Sequence, residues 1–176
     1  MLFLLMFAQV ALAAPQPLTV NVGEPALMFG LPALNQAQAA QTVNKASVSL
    51  SDFVGVLPSY PRQAVLVHFF TRKSGTDILK ALHRVQKRNE AKGVQVIGVC
   101  ACRGEVQAHT EWVEAQNLNY PVVHDGYRVV SDRYGVTEFP ITLVVESTGN
   151  VFAIGQPKGE GAEAEIQSEV DGVLKR

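Results

Sequence analysis

The chain has 176 residues, of which 47% are hydrophobic and 18% are charged, and its formal net charge is −1 at pH 7. These values are typical of one folded globular domain with a substantial core. The near-neutral charge excludes a general attraction to nucleic acid or to an anionic membrane, so any partner must be recognised locally.

Residues 1–14 form an uncharged, almost wholly apolar segment that ends in an A-x-A pattern. This composition is typical of a secretory signal peptide, although no Lys or Arg precedes the apolar run. The segment is too short for a membrane-spanning helix, which needs about 20 residues. A buried N-terminal helix is the weaker alternative, because Pro15 and Pro17 follow at once. We predict an exported protein, periplasmic or secreted, with a signal peptide at residues 1–14, one domain at residues 15–176 and no membrane span after signal removal.

The first third of the domain is punctuated by prolines. Residues 22–35 have an extended character, and residues 36–46 are rich in Ala, Gln and Asn, which indicates a surface loop or a short helix. Residues 50–53 are predicted to start a helix, with Ser51 or Asp52 as its N-cap.

A strand–helix–strand–helix order follows. Residues 64–70 are a near-continuous apolar run, as expected of a central strand that is covered on both faces. The apolar spacing predicts a helix over residues 76–92, a second central strand over residues 94–102, and a helix over residues 105–116. The inward residues of this last helix are predicted to be Val106, Trp112 and Val113.

The remaining elements are shorter. Residues 121–123 are strand-like, and residues 127–134 form a short helix. Residues 141–146 and 151–155 are predicted strands of a hairpin, and residues 163–175 form a closing helix. This order predicts an α/β fold in which a parallel sheet is extended by an antiparallel pair and covered by helices.

The chain resembles the thioredoxin-like superfamily, and within it the redoxin branch of alkyl-hydroperoxide-reductase/thiol-specific-antioxidant proteins and exported thiol–disulfide oxidoreductases. The resemblance covers about residues 22–174. It is carried by five ordered segments, which are residues 22–32, 48–53, 65–70, 96–99 and 134–145. It implies a three-layer sandwich with a mixed central sheet, and a cis bond between Phe139 and Pro140.

The sequence departs from this family at the active-site turn. Where the family has Cys-x-x-Cys or a peroxidatic cysteine, this chain reads Ser74-Gly75-Thr76-Asp77. A hydroxyl cannot be ionised usefully by a helix N-terminus, so the usual dithiol chemistry is unavailable there. Ser74 and Asp77 are spaced as a capping box, which we prefer to an anion site formed with Arg72 and Lys73.

Cys100 and Cys102 are the only cysteines. In an extended strand their α-carbons lie about 6.6–6.8 Å apart and their side chains are parallel, which disfavours a bridge unless the chain turns beyond them. Two buried, unlinked thiols are therefore preferred, and a redox pair is the alternative. We predict no metal site, because no histidine stands at ligand spacing, and no cofactor.

Four histidines are available for chemistry. His68 is expected to be a hydrogen-bonded core residue rather than a proton carrier. His83, His109 and His124 are scattered and are expected on the surface or on a helix face. One sequence cannot define a Ser/His/Asp triad, which is recognised by its geometry.

Two functions follow. The preferred one is a binding or partner module that recognises a protein, a peptide or a small ligand near Ser74 and Pro140, with Arg72, Lys73 and Phe139 as further binding residues. A partner subunit of an active redox protein is a variant of this idea. The alternative is an unconventional thiol–disulfide oxidoreductase or antioxidant protein that uses Cys100 and Cys102. Fold alone does not establish an enzyme when the expected site residues are missing.

Overall fold

The computed structural model describes residues 18–176, and the predicted signal peptide lies outside them. Five strands form one sheet in the order β5-β4-β3-β6-β7. The first three are parallel, and β6 and β7 are antiparallel to their neighbours, which confirms the predicted mixed sheet. Their bounds are β3 Ala64–Phe70, β4 Val94–Cys100, β5 Val122–His124, β6 Ile141–Glu146 and β7 Val151–Gly155.

Helices cover both faces of this sheet. On one face α2, α3 and α5 contribute to a cluster of buried apolar side chains, and on the other face α1 and α4 contribute to a second cluster. An antiparallel pair, β1 (Gly30–Pro32) with β2 (Ser47–Ser49), precedes the main sheet. The helices are α1 Gln36–Val43, α2 Asp77–Asn89, α3 Val106–Glu114, α4 Val129–Arg133 and α5 Ala162–Val173.

The central strand β3 is buried along all seven residues, as its apolar run predicts. Because successive strand side chains point to opposite faces, Val67 and Phe69 pack into one cluster and Leu66 and Phe70 into the other. His68 is the one polar side chain of this strand, and it is fully buried.

Helix α2 places Ile78, Leu82 and Val85 on the sheet. Its regular part ends at Asn89, and a 3₁₀ turn continues it to Lys92, so the predicted helix changes its hydrogen-bonding pattern in its last turn. Gly93 ends the segment with a φ of 81°, a left-handed conformation that glycine adopts without steric cost.

Residues 36–43 form the helix α1, which is one of the two alternatives predicted for residues 36–46, and it buries Ala39 and Val43. Two expectations need correction. The segment after β2 is a single 3₁₀ turn, Leu50–Asp52, whose capping residue is Ser49 rather than Ser51 or Asp52. Val106 does not point inward, because it opens α3 with 51% of its surface exposed.

No helix within residues 18–176 is long and apolar enough to cross a membrane.

Candidate functional site

The turn after β3 is where the family resemblance places the cysteine pair, but its local structure differs from the helix start that the sequence predicts. Residues Arg72–Ser74 form a 3₁₀ turn, and Ser74 belongs to a capping box with Thr71 rather than with Asp77. The Thr71 amide donates to the Ser74 hydroxyl at 3.1 Å. Helix α2 begins only at Asp77, after Gly75, so the predicted Ser74–Asp77 box is wrong. Gly75 has a φ of 86°, and this left-handed residue separates Ser74 from the helix.

The bond between Phe139 and Pro140 is cis, as the resemblance implies. Phe69 of β3 pairs with Ile141, so Pro140 lies beside the carboxyl end of β3 and near the start of the turn. Pro140 is buried and Phe139 is half-buried. Arg128 holds this loop, because its guanidinium lies 5.1 Å from the centre of the Phe139 ring and donates to the Val136 carbonyl at 2.9 Å.

The two basic residues of the turn are exposed. The Arg72 guanidinium lies 5.5 Å from the centre of the Trp112 ring and forms a cation–π contact with it. Trp112 in turn lies 6.4 Å from Phe70, the last residue of β3. Arg72 and Lys73 therefore present positive charge at the carboxyl edge of the sheet.

Cys100 and Cys102 are joined by a disulfide, which differs from the preferred expectation of unlinked thiols. Strand β4 ends at Cys100, and the chain then bends so that the α-carbons lie only 5.1 Å apart. The Ala101 amide donates to the Phe70 carbonyl at 2.8 Å, which continues the hydrogen bonding between β3 and β4 up to this bend. Both cysteines are buried, as expected, with 0% and 4% of their surface exposed.

Two imidazoles border the residues that follow the disulfide. His124 pairs with Cys100 across β4 and β5, and its Nε2 donates to the Cys102 carbonyl at 2.9 Å. His109 of α3 bonds through Nε2 to the Arg103 carbonyl at 3.0 Å. The two ring centres are 5.7 Å apart. His109 lies on helix α3, one of the two places expected for it, and its side chain is buried.

The sequence did not predict that the turn after β3, the disulfide after β4 and His124 of β5 lie at one edge of the sheet, because these three segments lie far apart along the chain. The available signal was the parallel order of the strands, since carboxyl ends of adjacent parallel strands meet at one edge. That rule places Phe70, Cys100 and His124 level with one another.

His68 lies deeper, between the sheet and its helices. Its Nδ1 is 2.9 Å from the Thr142 hydroxyl, and its ring stacks on Phe70 at 5.7 Å. Burial lowers the pKa of His68 to about 3, so the ring is neutral at pH 7. The prediction of a hydrogen-bonded core histidine is confirmed.

Residues 22–154 match the AhpC/TSA family. The chain belongs to the AhpC/TSA family. A search of curated proteins found no match for this AhpC/TSA chain.

Solved structures with the same fold include proteins that are described as thiol–disulfide enzymes. A protein assigned as the thiol:disulfide interchange protein DsbE of Chlorobium tepidum is 18% identical, with a TM-score of 0.71, and the match covers 89% of this chain and 99% of that one. A protein assigned as a disulfide isomerase of Bacteroides thetaiotaomicron is 13% identical, with a TM-score of 0.72 and coverage of 93% and 96%.

A secreted disulfide oxidoreductase of Mycobacterium tuberculosis, described as homologous to E. coli DsbE, is 19% identical, with a TM-score of 0.61 and coverage of 82% and 95%. At these identities the three likenesses establish the thioredoxin-like fold of the AhpC/TSA chain. Within residues 18–176 this chain has no group of three or more His, Cys, Asp or Glu side chains placed to hold a metal ion.

Proposed function

We propose that this AhpC/TSA protein is exported and acts as a binding module without dithiol chemistry at the usual turn. The observation that carries the proposal is the state of Ser74, whose hydroxyl accepts the Thr71 amide and caps a 3₁₀ turn. Neither a thiol nor a free nucleophile stands at this position. The apolar, uncharged residues 1–14 support export.

The binding surface in this proposal is the edge formed by Arg72, Lys73 and the Phe139–Pro140 loop. Arg72 and Lys73 are exposed and positively charged, and Phe139 is half-buried. Pro140 itself is buried, so a partner would contact the backbone of this loop rather than the proline ring. This surface suits an extended peptide segment with acidic residues, because exposed cations select such charge.

Insulin reduction tests the absence of dithiol chemistry. We expect the wild-type protein to leave insulin unreduced in the presence of dithiothreitol, beyond the background rate. The double variant Ser74→Cys, Asp77→Cys restores the Cys-x-x-Cys spacing and is expected to raise the rate at least tenfold. Each single variant is the control, since one cysteine cannot form the internal disulfide. Wild-type activity that is lost in the variant Cys100→Ser, Cys102→Ser would refute the binding module, because it would assign the reduction to this cysteine pair.

Peptide binding is tested separately. Acidic peptides selected on the immobilised wild-type protein should bind the variant Arg72→Ser, Lys73→Ser at least tenfold more weakly. The control is Lys158→Ser, which removes an exposed charge elsewhere. Equal losses in both variants would show general charge attraction rather than a site.

A second function is favoured by one observation, the bond between Cys100 and Cys102 at the sheet edge. Here one thiolate of a substrate dithiol would attack one sulfur of the bond, forming a mixed disulfide and releasing the other cysteine as a thiolate. The second substrate thiolate would then attack the mixed disulfide, so that the substrate is oxidised to a disulfide and both protein cysteines are reduced. The burial of both cysteines favours the binding module.

Equilibration in glutathione buffers, followed by the fluorescence of Trp112, the only tryptophan, tests the exchange. Reversible reduction within minutes supports an oxidoreductase, and resistance to reduction in the folded protein excludes it.

A further inference from the structure

A cavity of about 360 Å³ opens at the carboxyl end of β5, apart from the Ser74 turn. It lies between β1, the start of α3 and the loop that leads into α4. This volume falls in the range of about 300–1,000 Å³ that small-molecule sites occupy. Its apolar walls are Leu31, Pro32, Val106, Tyr127 and Val129.

The mouth of this cavity is unusually apolar. Val106 is 51% exposed, Val129 is 58% exposed and Tyr127 is 93% exposed. Clusters of exposed apolar side chains around a concavity mark binding sites, whereas single exposed ones are ordinary. Val56 and Leu57 are also exposed but lie outside the lining of this cavity, so they serve as a comparison.

The cavity carries no free carboxylate. Asp125 contributes to the lining, but the residue is only 2% exposed. Its carboxylate accepts three hydrogen bonds from the start of α4, from the amides of Val130 and Ser131 and from the Ser131 hydroxyl. Two other lining side chains can form hydrogen bonds, the half-buried His124 imidazole and the exposed Tyr127 hydroxyl. A ligand in this cavity therefore contacts the His124 imidazole and no free carboxylate.

The tautomer of His124 follows from its partner. A carbonyl oxygen only accepts hydrogen bonds, so the 2.9 Å contact with the Cys102 carbonyl requires the proton on Nε2. In the neutral ring Nδ1 is then an acceptor. Within residues 18–176 no group donates to this Nδ1 at hydrogen-bond distance.

Gly126 leaves the space that the His124 ring occupies in this position. A Cβ added at Gly126 would lie 2.6 Å from Cε1 and 2.7 Å from Nε2 of His124. These distances are shorter than any van der Waals contact, so a methyl group there would displace the ring. The loop backbone can lie on the imidazole face only because residue 126 has no side chain.

We propose that this cavity binds a small, uncharged aromatic molecule that carries one hydroxyl or N–H donor, which His124 Nδ1 accepts. The apolar walls pack against the aromatic ring of the ligand, and the hydrogen bond to His124 orients it. This inference does not rest on the function proposed above, because it concerns other residues and another ligand class.

The test compares two probes of nearly the same shape, 2-naphthol and 2-methoxynaphthalene, of which only the first has a donor. Each is titrated into ¹⁵N-labelled protein while amide chemical shifts are followed. We expect saturable shifts at Gly104 and Gly126, which line the cavity. Gly161, which lies elsewhere, should not shift. 2-Naphthol should bind about 5-fold more tightly, as expected for one neutral hydrogen bond.

Variants separate the walls from the acceptor. The double variant Val106→Ser, Val129→Ser should weaken both probes at least fivefold, whereas the matched control Val56→Ser, Leu57→Ser should leave both unchanged. His124→Phe should abolish the preference for 2-naphthol while the methoxy probe still binds. Gly126→Ala should weaken both probes, since it displaces the ring. Circular dichroism checks that each variant is folded.

Three results would overturn the proposal. One is the absence of saturable shifts at Gly104 and Gly126 with either probe. Another is equal affinity of the wild-type protein for the two probes. The third is an unchanged preference for 2-naphthol in His124→Phe, which keeps the proposal testable even if Gly126→Ala does not fold.

Discussion

The buried imidazole of His68 makes the stability of this protein depend on pH in a defined direction. Its pKa is lowered by burial to about 3, against about 6.5 in an unfolded chain. Between these values the unfolded state binds more protons than the folded state, so the free energy of unfolding falls as pH falls. Stability is fully present above about pH 6.5 and is lost progressively toward pH 3.

The size of the effect follows from the same two values. One pKa unit corresponds to about 1.4 kcal/mol, so His68 alone should remove about 2 kcal/mol at pH 5 and about 4 kcal/mol near pH 3. Urea unfolding at pH 7 and pH 5, followed by Trp112 fluorescence, measures the difference. His68→Leu should lower stability at pH 7 but show about 2 kcal/mol less loss between the two pH values. His83→Gln, at a half-buried site, is the control. Parallel losses in His68→Leu and the wild type would refute the reasoning.

Three further predictions concern the loops around the site. Asp125→Ala leaves two buried amides at the start of α4 without their acceptor and should lower the free energy of unfolding by about 3 kcal/mol, measured by urea unfolding. The control is Asp132→Ala at an exposed position, which should lower it by less than about 1 kcal/mol, and equal losses in the two variants would contradict the prediction. Ser74→Ala removes the acceptor of the capping box and should cost about 1 kcal/mol in thermal unfolding, whereas no change would show that the box is dispensable. Arg128→Ala should speed hydrogen exchange of the loop around Phe139 about tenfold, since one hydrogen bond and one cation–π contact are lost; unchanged exchange would show that other contacts hold the loop.

The sequence was sufficient for the central elements because their signals are local and strong. The seven-residue apolar run at 64–70 predicts β3 with its observed bounds, and the hairpin strands at 141–146 and 151–155 are also found as predicted. A strand that is buried on both faces needs apolar residues throughout, so its limits can be read directly from the chain.

The details of the candidate site depend on tertiary contacts that no local pattern contains. Cys100 and Cys102 look too far apart in an extended strand, but the strand ends at Cys100 and the chain bends after it, which brings their α-carbons to 5.1 Å. Ser74 was predicted to cap the helix together with Asp77, but its partner is Thr71, and Gly75 separates it from α2. His109 is buried only because α3 packs against the turn after the disulfide, where it meets the Arg103 carbonyl.

The position of β6 beside β3 has a consequence for how the chain acquires its structure. His68 and Thr142 are in contact across these two strands although 74 residues separate them in sequence. A central strand whose neighbour is synthesised so much later cannot complete its sheet early, and non-local pairing of this kind slows folding. The sheet is therefore complete only after the carboxyl-terminal half, which carries β6, has been synthesised.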